Sequence, residues 1–175
     1  MAHCVSALKE WTGKGSATII FDSTVDEFTH DGLFMKVKAK SNIALVGFTT
    51  EGDVFGGFYS VAVDEQEQGF WDPNIFAFSF ESHGRCQTPQ RFPVKDGMKD
   101  KAYLFFSKNH KHGIVRFGVS VGGFTLGNEN SDSYCYFTSD GFVGLENVTL
   151  SGQNYCNPPL GPYHHCTRLV AIQLS

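Results

Sequence analysis

Asp53-Val54-Phe55-Gly56-Gly57-Phe58-Tyr59 and, after a polar loop, Trp71-Asp72-Pro73-Asn74-Ile75-Phe76-Ala77-Phe78-Ser79-Phe80 decide how this chain folds. Phe76, Phe78 and Phe80 recur at every second residue, the spacing that puts side chains on one face of a strand, and Asp72-Pro73-Asn74 is the turn that feeds it. Burying each ring is worth about 1.5–3 kcal/mol, so three on one face predict a central strand over a deep core. The pair Gly56-Gly57 between Phe55 and Phe58 marks a close approach of backbone to backbone or ring, or a bulge.

Outward from this stretch, Ile43 to Phe48 and Val54 to Val63 flank Thr49-Thr50-Glu51-Gly52-Asp53 and predict a hairpin. Gly52 is the residue placed to take a positive φ, and Phe55, Tyr59, Val61 and Val63 share a face under period two. Upstream, Leu8 to Trp11 predicts a short helical turn, Ser16 to Phe21 a strand, and Asp26 to Lys38 a helix carrying Leu33, Phe34 and Val37. Downstream, Phe92 to Val94 suits an edge segment that tolerates Pro93. Strands are expected over 102–106, 114–117, 119–126 and 134–137, with a closing strand near 169–174. The stretch 144–165, with Pro158, Pro159 and Pro162, reads as an irregular loop of the kind that carries partner sites. About ten short strands with one or two flanking helices make an α+β domain with a β-sandwich-like two-sheet core. One domain over 1–175 is expected, because 41% apolar and 14% aromatic content suffice for a single core.

The fourteen Lys and Arg are scattered and the net charge is −4, so the basic stripe of a nucleic-acid-binding surface is missing. Met1 to Glu10 has no apolar run suited to a signal peptide, and no later stretch approaches a membrane span; a cytoplasmic protein without membrane insertion is expected. Five cysteines, an odd number at irregular spacings, read as reduced thiols. Asn147-Val148-Thr149 matches a glycosylation sequon and is read as an ordinary loop.

Candidate chemistry is sparse. Cys156, His164, His165 and Cys166, with His83 and Cys86 more distant, have zinc-ligand chemistry, but the seven residues between Cys156 and His164 exceed the usual spacer. Cys86, beside Arg85 and near His83, is the candidate redox thiol, since a neighbouring cation favours the thiolate. Cys135, between Tyr134 and Tyr136, reads as a buried small hydrophobe. The acids at Asp22, Asp26 and Glu27, and at Asp64, Glu65 and Glu67, read as caps or solvated loops. Gly122-Gly123 and Gly127 match no nucleotide-binding motif. No catalytic residue, cofactor or metal is assigned. Trp71, next to Phe70, reads as core packing or a strand-entry anchor, whereas an aromatic-walled groove around it would mark a small-ligand module.

The order of motifs resembles the TLDc domain over nearly the whole chain: Ile19-Ile20-Phe21-Asp22-Ser23, Ile43 to Phe48, Phe55-Gly56-Gly57-Phe58, Asp72-Pro73-Asn74 with Phe76, Phe78 and Phe80, Phe117-Gly118, and the terminal strand. The resemblance implies a β-sandwich with flanking helices, a link to protection against oxidative damage, and a protein partner, in several members the vacuolar proton-pumping ATPase. It implies no established enzymatic mechanism. On that basis a monomeric, non-enzymatic interaction domain is expected, with a thiol enzyme using Cys86 or a ligand-binding sandwich as alternatives. Two departures stand out. The family often places a glutamate in its last strand, where this chain reads Leu169-Val170-Ala171-Ile172-Gln173-Leu174, and Val119-Ser120-Val121-Gly122-Gly123 replaces the usual Gly- and Asp-containing continuation after Gly118.

Overall fold

Period-two alternation sorts the strand side chains onto two faces, and the chain lays those strands down as two antiparallel sheets. In the computed structural model residues 2–175 are described apart from 110, 112, 121, 129, 132, 137, 147, 149, 152–155 and 158–160. The elements run α1 (Ala2–Thr12), β1 (Ala17–Asp22), α2 (His30–Val37), β2 (Ile43–Thr49), β3 (Val54–Tyr59), β4 (Gly69–Trp71), β5 (Phe76–Glu81) and β6 (Gln90–Pro93). A 3-10 turn (Asp96–Lys101) follows, then β7 (Ala102–Phe106), β8 (Val115–Val119), β9 (Gly122–Leu126), β10 (Ser133–Tyr136), α3 (Thr138–Gly141), β11 (Cys156–Asn157), β12 (Gly161–His164) and β13 (Cys166–Leu174). The first sheet has the order β1-β13-β2-β3-β5-β6, the second β11-β12-β10-β9-β8-β7-β4. An α+β sandwich with few helices is therefore the architecture, and the described strands number thirteen where the sequence suggests about ten.

The principal core lies between the sheets. Leu45, Phe55 and Tyr59 of the first sheet meet Leu104, Phe106, Phe117 and Phe124 of the second, and Phe117 stacks on Phe124 at 5.0 Å. Helix α2 joins this core through Phe34, whose ring lies 5.7 Å from that of Phe106. It begins at Thr29, whose Oγ1 accepts from the Gly32 N–H at 3.0 Å. That cap starts the helix four residues later than Asp26, because Asp26 instead folds back to accept from the Asp22 N–H.

The phenylalanine-rich strand corrects the expectation drawn from it. Strand β5 lies one place in from the β6 edge and not at the centre, and its rings face outward from the first sheet. They are covered by α1, which is a full 11-residue helix and not a single turn. Trp11 stacks on Phe80 at 5.7 Å and meets Phe76 edge-on at 6.1 Å. Phe58, opposite Phe76 in the β3–β5 ladder, stacks on it at 4.9 Å. The rings thus form a second apolar cluster with Leu8, Val46, Val170 and Ile172.

Gly56 and Gly57 serve one face each. A Cβ on Gly56 would strike the Leu45 carbonyl and the Phe78 ring in the outer cluster, and a Cβ on Gly57 would strike the Phe117 ring in the principal core. The diglycine is therefore the place where rings from both clusters press on one strand. Gly52 sits at φ +86° in the β2–β3 turn, as its position in the sequence predicts. Strand β3 stops at Tyr59, short of Val63, because Ser60 turns to bond Asp72.

Candidate functional site

The outward face of the second sheet is built by alternation. In β7, Ala102, Leu104 and Phe106 are fully buried, while Tyr103 and Phe105 point the other way and are half-buried. In β8, Phe117 goes inward and Arg116 and Gly118 outward. Cross-strand register sets Trp71 opposite Tyr103, Tyr103 opposite Gly118, and Phe105 opposite Arg116. Gly118 lacks the Cβ that would collide with the Tyr103 ring, so that ring lies flat on the sheet. Trp71 meets Tyr103 edge-on at 6.0 Å, and the Arg116 guanidinium sits 5.5 Å from the Tyr103 centroid.

Trp71 is 65% exposed, which overturns its reading as core packing; its neighbour Phe70 is the one that packs on the principal core. A cleft of about 300 Å³ lies on the far side of Tyr103, lined by that ring with Phe105, Ile114, Arg116, Thr125 and Tyr134 and not by Trp71. Tyr103, Phe105 and Tyr134 belong to neither packed cluster. The result is an aromatic shelf facing away from the sandwich.

The two buried carboxylates among the described residues are structural anchors. Asp72 accepts from the backbone N–H of Ser60, from Ser60 Oγ at 2.9 Å and from the Asn74 N–H at 2.9 Å, while Asn74 Nδ2 donates to Ser60 Oγ at 3.0 Å. The Asp72-Pro73-Asn74 motif is thus the clasp between the end of β3 and the entry to β5. Asp53 lies at the start of β3, and its Oδ1 meets Arg85 Nη2 at 2.7 Å and His83 Nδ1 at 2.9 Å. The sequence reading assigned no role to this ion cluster. Val54 pairs with Glu81, which brings 83–86 to the same end of the sheet as Asp53, a proximity that only the β3–β5 register reveals.

The remaining sequence candidates separate. His83 and Arg85 turn to Asp53, and Cys86 is half-buried with its side chain on the principal core. Burial pushes the thiols of Cys135 and Cys166 up to about 12, which disfavours the nucleophilic thiolate. His164 is fully buried, its ring 5.0 Å from Phe55 and its Nε2 3.0 Å from the Thr125 carbonyl, and burial pushes it down to about 4. The zinc-like set is not assembled: no group of three or more metal-capable residues occurs among the described residues, and the Cys156 side chain falls outside them. Asp22 takes Arg168 Nε at 3.0 Å, and that guanidinium holds its carboxyl down to about 2. Asp26 pairs with Lys36 at 2.8 Å. Glu67 accepts from the Lys108 N–H. The sequon residues Asn147 and Thr149 lie outside the described residues.

With the two-sheet core, the diglycine and the Asp-Pro-Asn clasp in place, the protein-family comparison becomes decisive: the model of the TLDc domain matches residues 3–159. The chain belongs to the TLDc domain family. The match ends ahead of β12 and β13. No curated protein matches the chain. The residues that carry the sequence resemblance have structural reasons here: Phe55 and Phe117 fill the principal core of this TLDc domain, Phe58, Phe76 and Phe78 the outer cluster, and Gly56, Gly57 and Gly118 make room for rings. No helix among the described residues is long and apolar enough to cross a membrane.

Proposed function

We propose that this TLDc domain is a non-enzymatic interaction module of the oxidative-stress response that engages a subunit of the vacuolar proton-pumping ATPase. TLDc domains are interaction-type domains commonly linked to oxidative stress; the partner and the cytoplasmic setting are inferences from that membership. The observation that carries the reading is the aromatic shelf, where an exposed Trp71, Tyr103 and a stacked Arg116 supply the residue types that anchor protein interfaces.

Affinity capture from native cytosol, with and without peroxide, tests it. Wild type is expected to retain proton-pump subunits and Trp71→Ala to lose them, with the melting temperature unchanged. Retention by Trp71→Ala removes the shelf from the interface, and capture of no pump subunit by wild type overturns the partner. A second reading, a β-sandwich ligand module, draws on the cleft of about 300 Å³ beside Tyr103, which is at the small end of the range for ligand pockets. The thiol reading has its own test: loss of peroxide protection in Cys86→Ser would establish it against the non-enzymatic one.

A further inference from the structure

A larger cleft, about 450 Å³, opens in the other layer. Its floor is the stacked pair Phe58 and Phe76, and its walls are the last turn of α1 with Trp11, the Asp72-Pro73-Asn74 clasp, β6 and the 3-10 turn. Three cationic side chains line it from three separate segments: Lys14 just beyond α1, Arg91 on β6 and Lys99 on the 3-10 turn. Asn42, Ser60 and Asn74 add neutral polar groups, and among the described residues no aspartate or glutamate lines the cleft.

In a chain of net charge −4 this is a local reversal of sign. The nearest buried acid, Asp72, is held behind Ser60 and Asn74, both of which bond its carboxylate. Arg91 Nη1 donates to the Trp11 carbonyl at 2.8 Å, and its guanidinium lies 5.8 Å from the Phe76 centroid, so its head is held at the wall by two contacts. Lys99 reaches Asp96 at 2.7 Å on the solvent side, where Asp96 is 94% exposed and easily exchanged for a better-placed anion.

We infer that this cleft binds a phosphorylated small molecule, its phosphate oxygens held by Lys14, Arg91 and Lys99 and its organic part resting on the Trp11 and Pro73 wall. Cationic residues contributed by three separate segments suit a group with several anionic oxygens better than a single carboxylate, and guanidinium and ammonium groups both bind phosphate. The volume accommodates a ligand of that size. The site is on the other layer from the aromatic shelf, so it stands or falls independently of the protein partner.

Isothermal titration calorimetry on the full chain, with ADP, pyrophosphate, citrate and adenosine as probes, tests this. ADP and pyrophosphate are expected to bind and adenosine not to. Lys14→Gln with Lys99→Gln, which gives up the exposed Lys99–Asp96 pair, is expected to weaken both by at least about tenfold, while Trp71→Ala leaves them unchanged. ADP binding more tightly than pyrophosphate identifies a nucleotide-like ligand, and the reverse an inorganic or sugar-type phosphate. Absence of heat with both phosphate probes, affinity unchanged in the double lysine variant, or citrate binding as tightly as pyrophosphate would each overturn the assignment.

Discussion

Asp53 shows what a single carboxylate does at a sheet end. It has no exposed surface, yet Arg85 and His83 both address its Oδ1, and Arg85 Nη2 also reaches the Leu150 carbonyl at 3.4 Å. A carboxylate out of water is tolerated when its charge is met. Asp53→Asn is expected to cost about 1.5–3 kcal/mol, read from urea unfolding; a loss near zero would mean the cluster carries no net stability. His164 supplies a pH dependence of definite sign. Its folded pKa is depressed to about 4 by burial, against about 6.5 in an unfolded chain, so between those values the unfolded state takes up a proton that the folded state refuses. Stability is therefore full above about pH 6.5, declines as pH falls toward 4 by a total on the order of 3 kcal/mol, and is level with respect to this group below that. Urea midpoints measured from pH 7 to 4 should show the slope, and His164→Gln should flatten it.

At the scale of elements, the outer cluster makes α1 and β5 one unit. Phe78 is fully buried beneath Trp11, whereas Phe80 is half-buried at the margin. Phe78→Ala should cost about 3–5 kcal/mol and Phe80→Ala clearly less, both by chemical unfolding, with hydrogen exchange of α1 accelerated in each. Equal costs would contradict the packing. The alternation Phe76, Phe78, Phe80 made the strand legible in the sequence, because period two needs no tertiary information. Which layer the rings face was not legible: a three-ring face fits the space between sheets or the space beneath a helix equally well, and a turn read only from Leu8 to Trp11 is too short to cover it, whereas α1 begins at Ala2. The same limit applies to Trp71. Its neighbour Phe70 shares the apolar character that marks a core, and only the register with Tyr103 reveals which of the two points outward. Asp53 and Asp72 read as turn residues, and their burial depends on partners 30 and 12 positions away in sequence.

Across the whole molecule, the first sheet is organised around β13, whose register joins β1 on one side and β2 on the other. Leu169, Val170, Ala171 and Ile172 are fully buried and contribute to both clusters, so this one strand ties the outer packing to the inner. A chain cut after His165 should lose its cooperative thermal transition and bind the dye ANS, as a species with collapsed but unfixed packing does; a sharp transition retained by the cut chain would show that β1 and β2 hold without it.

Because β13 follows the other strands of the first sheet in chain order, the ribosome delivers the keystone of that sheet after its other strands are already outside. During that interval β1 and β2 each present a bare hydrogen-bonding edge flanked by apolar residues, the kind of surface that pairs with a stranger's strand. Chaperone occupancy on the nascent polypeptide should accordingly persist until residues 166–174 emerge.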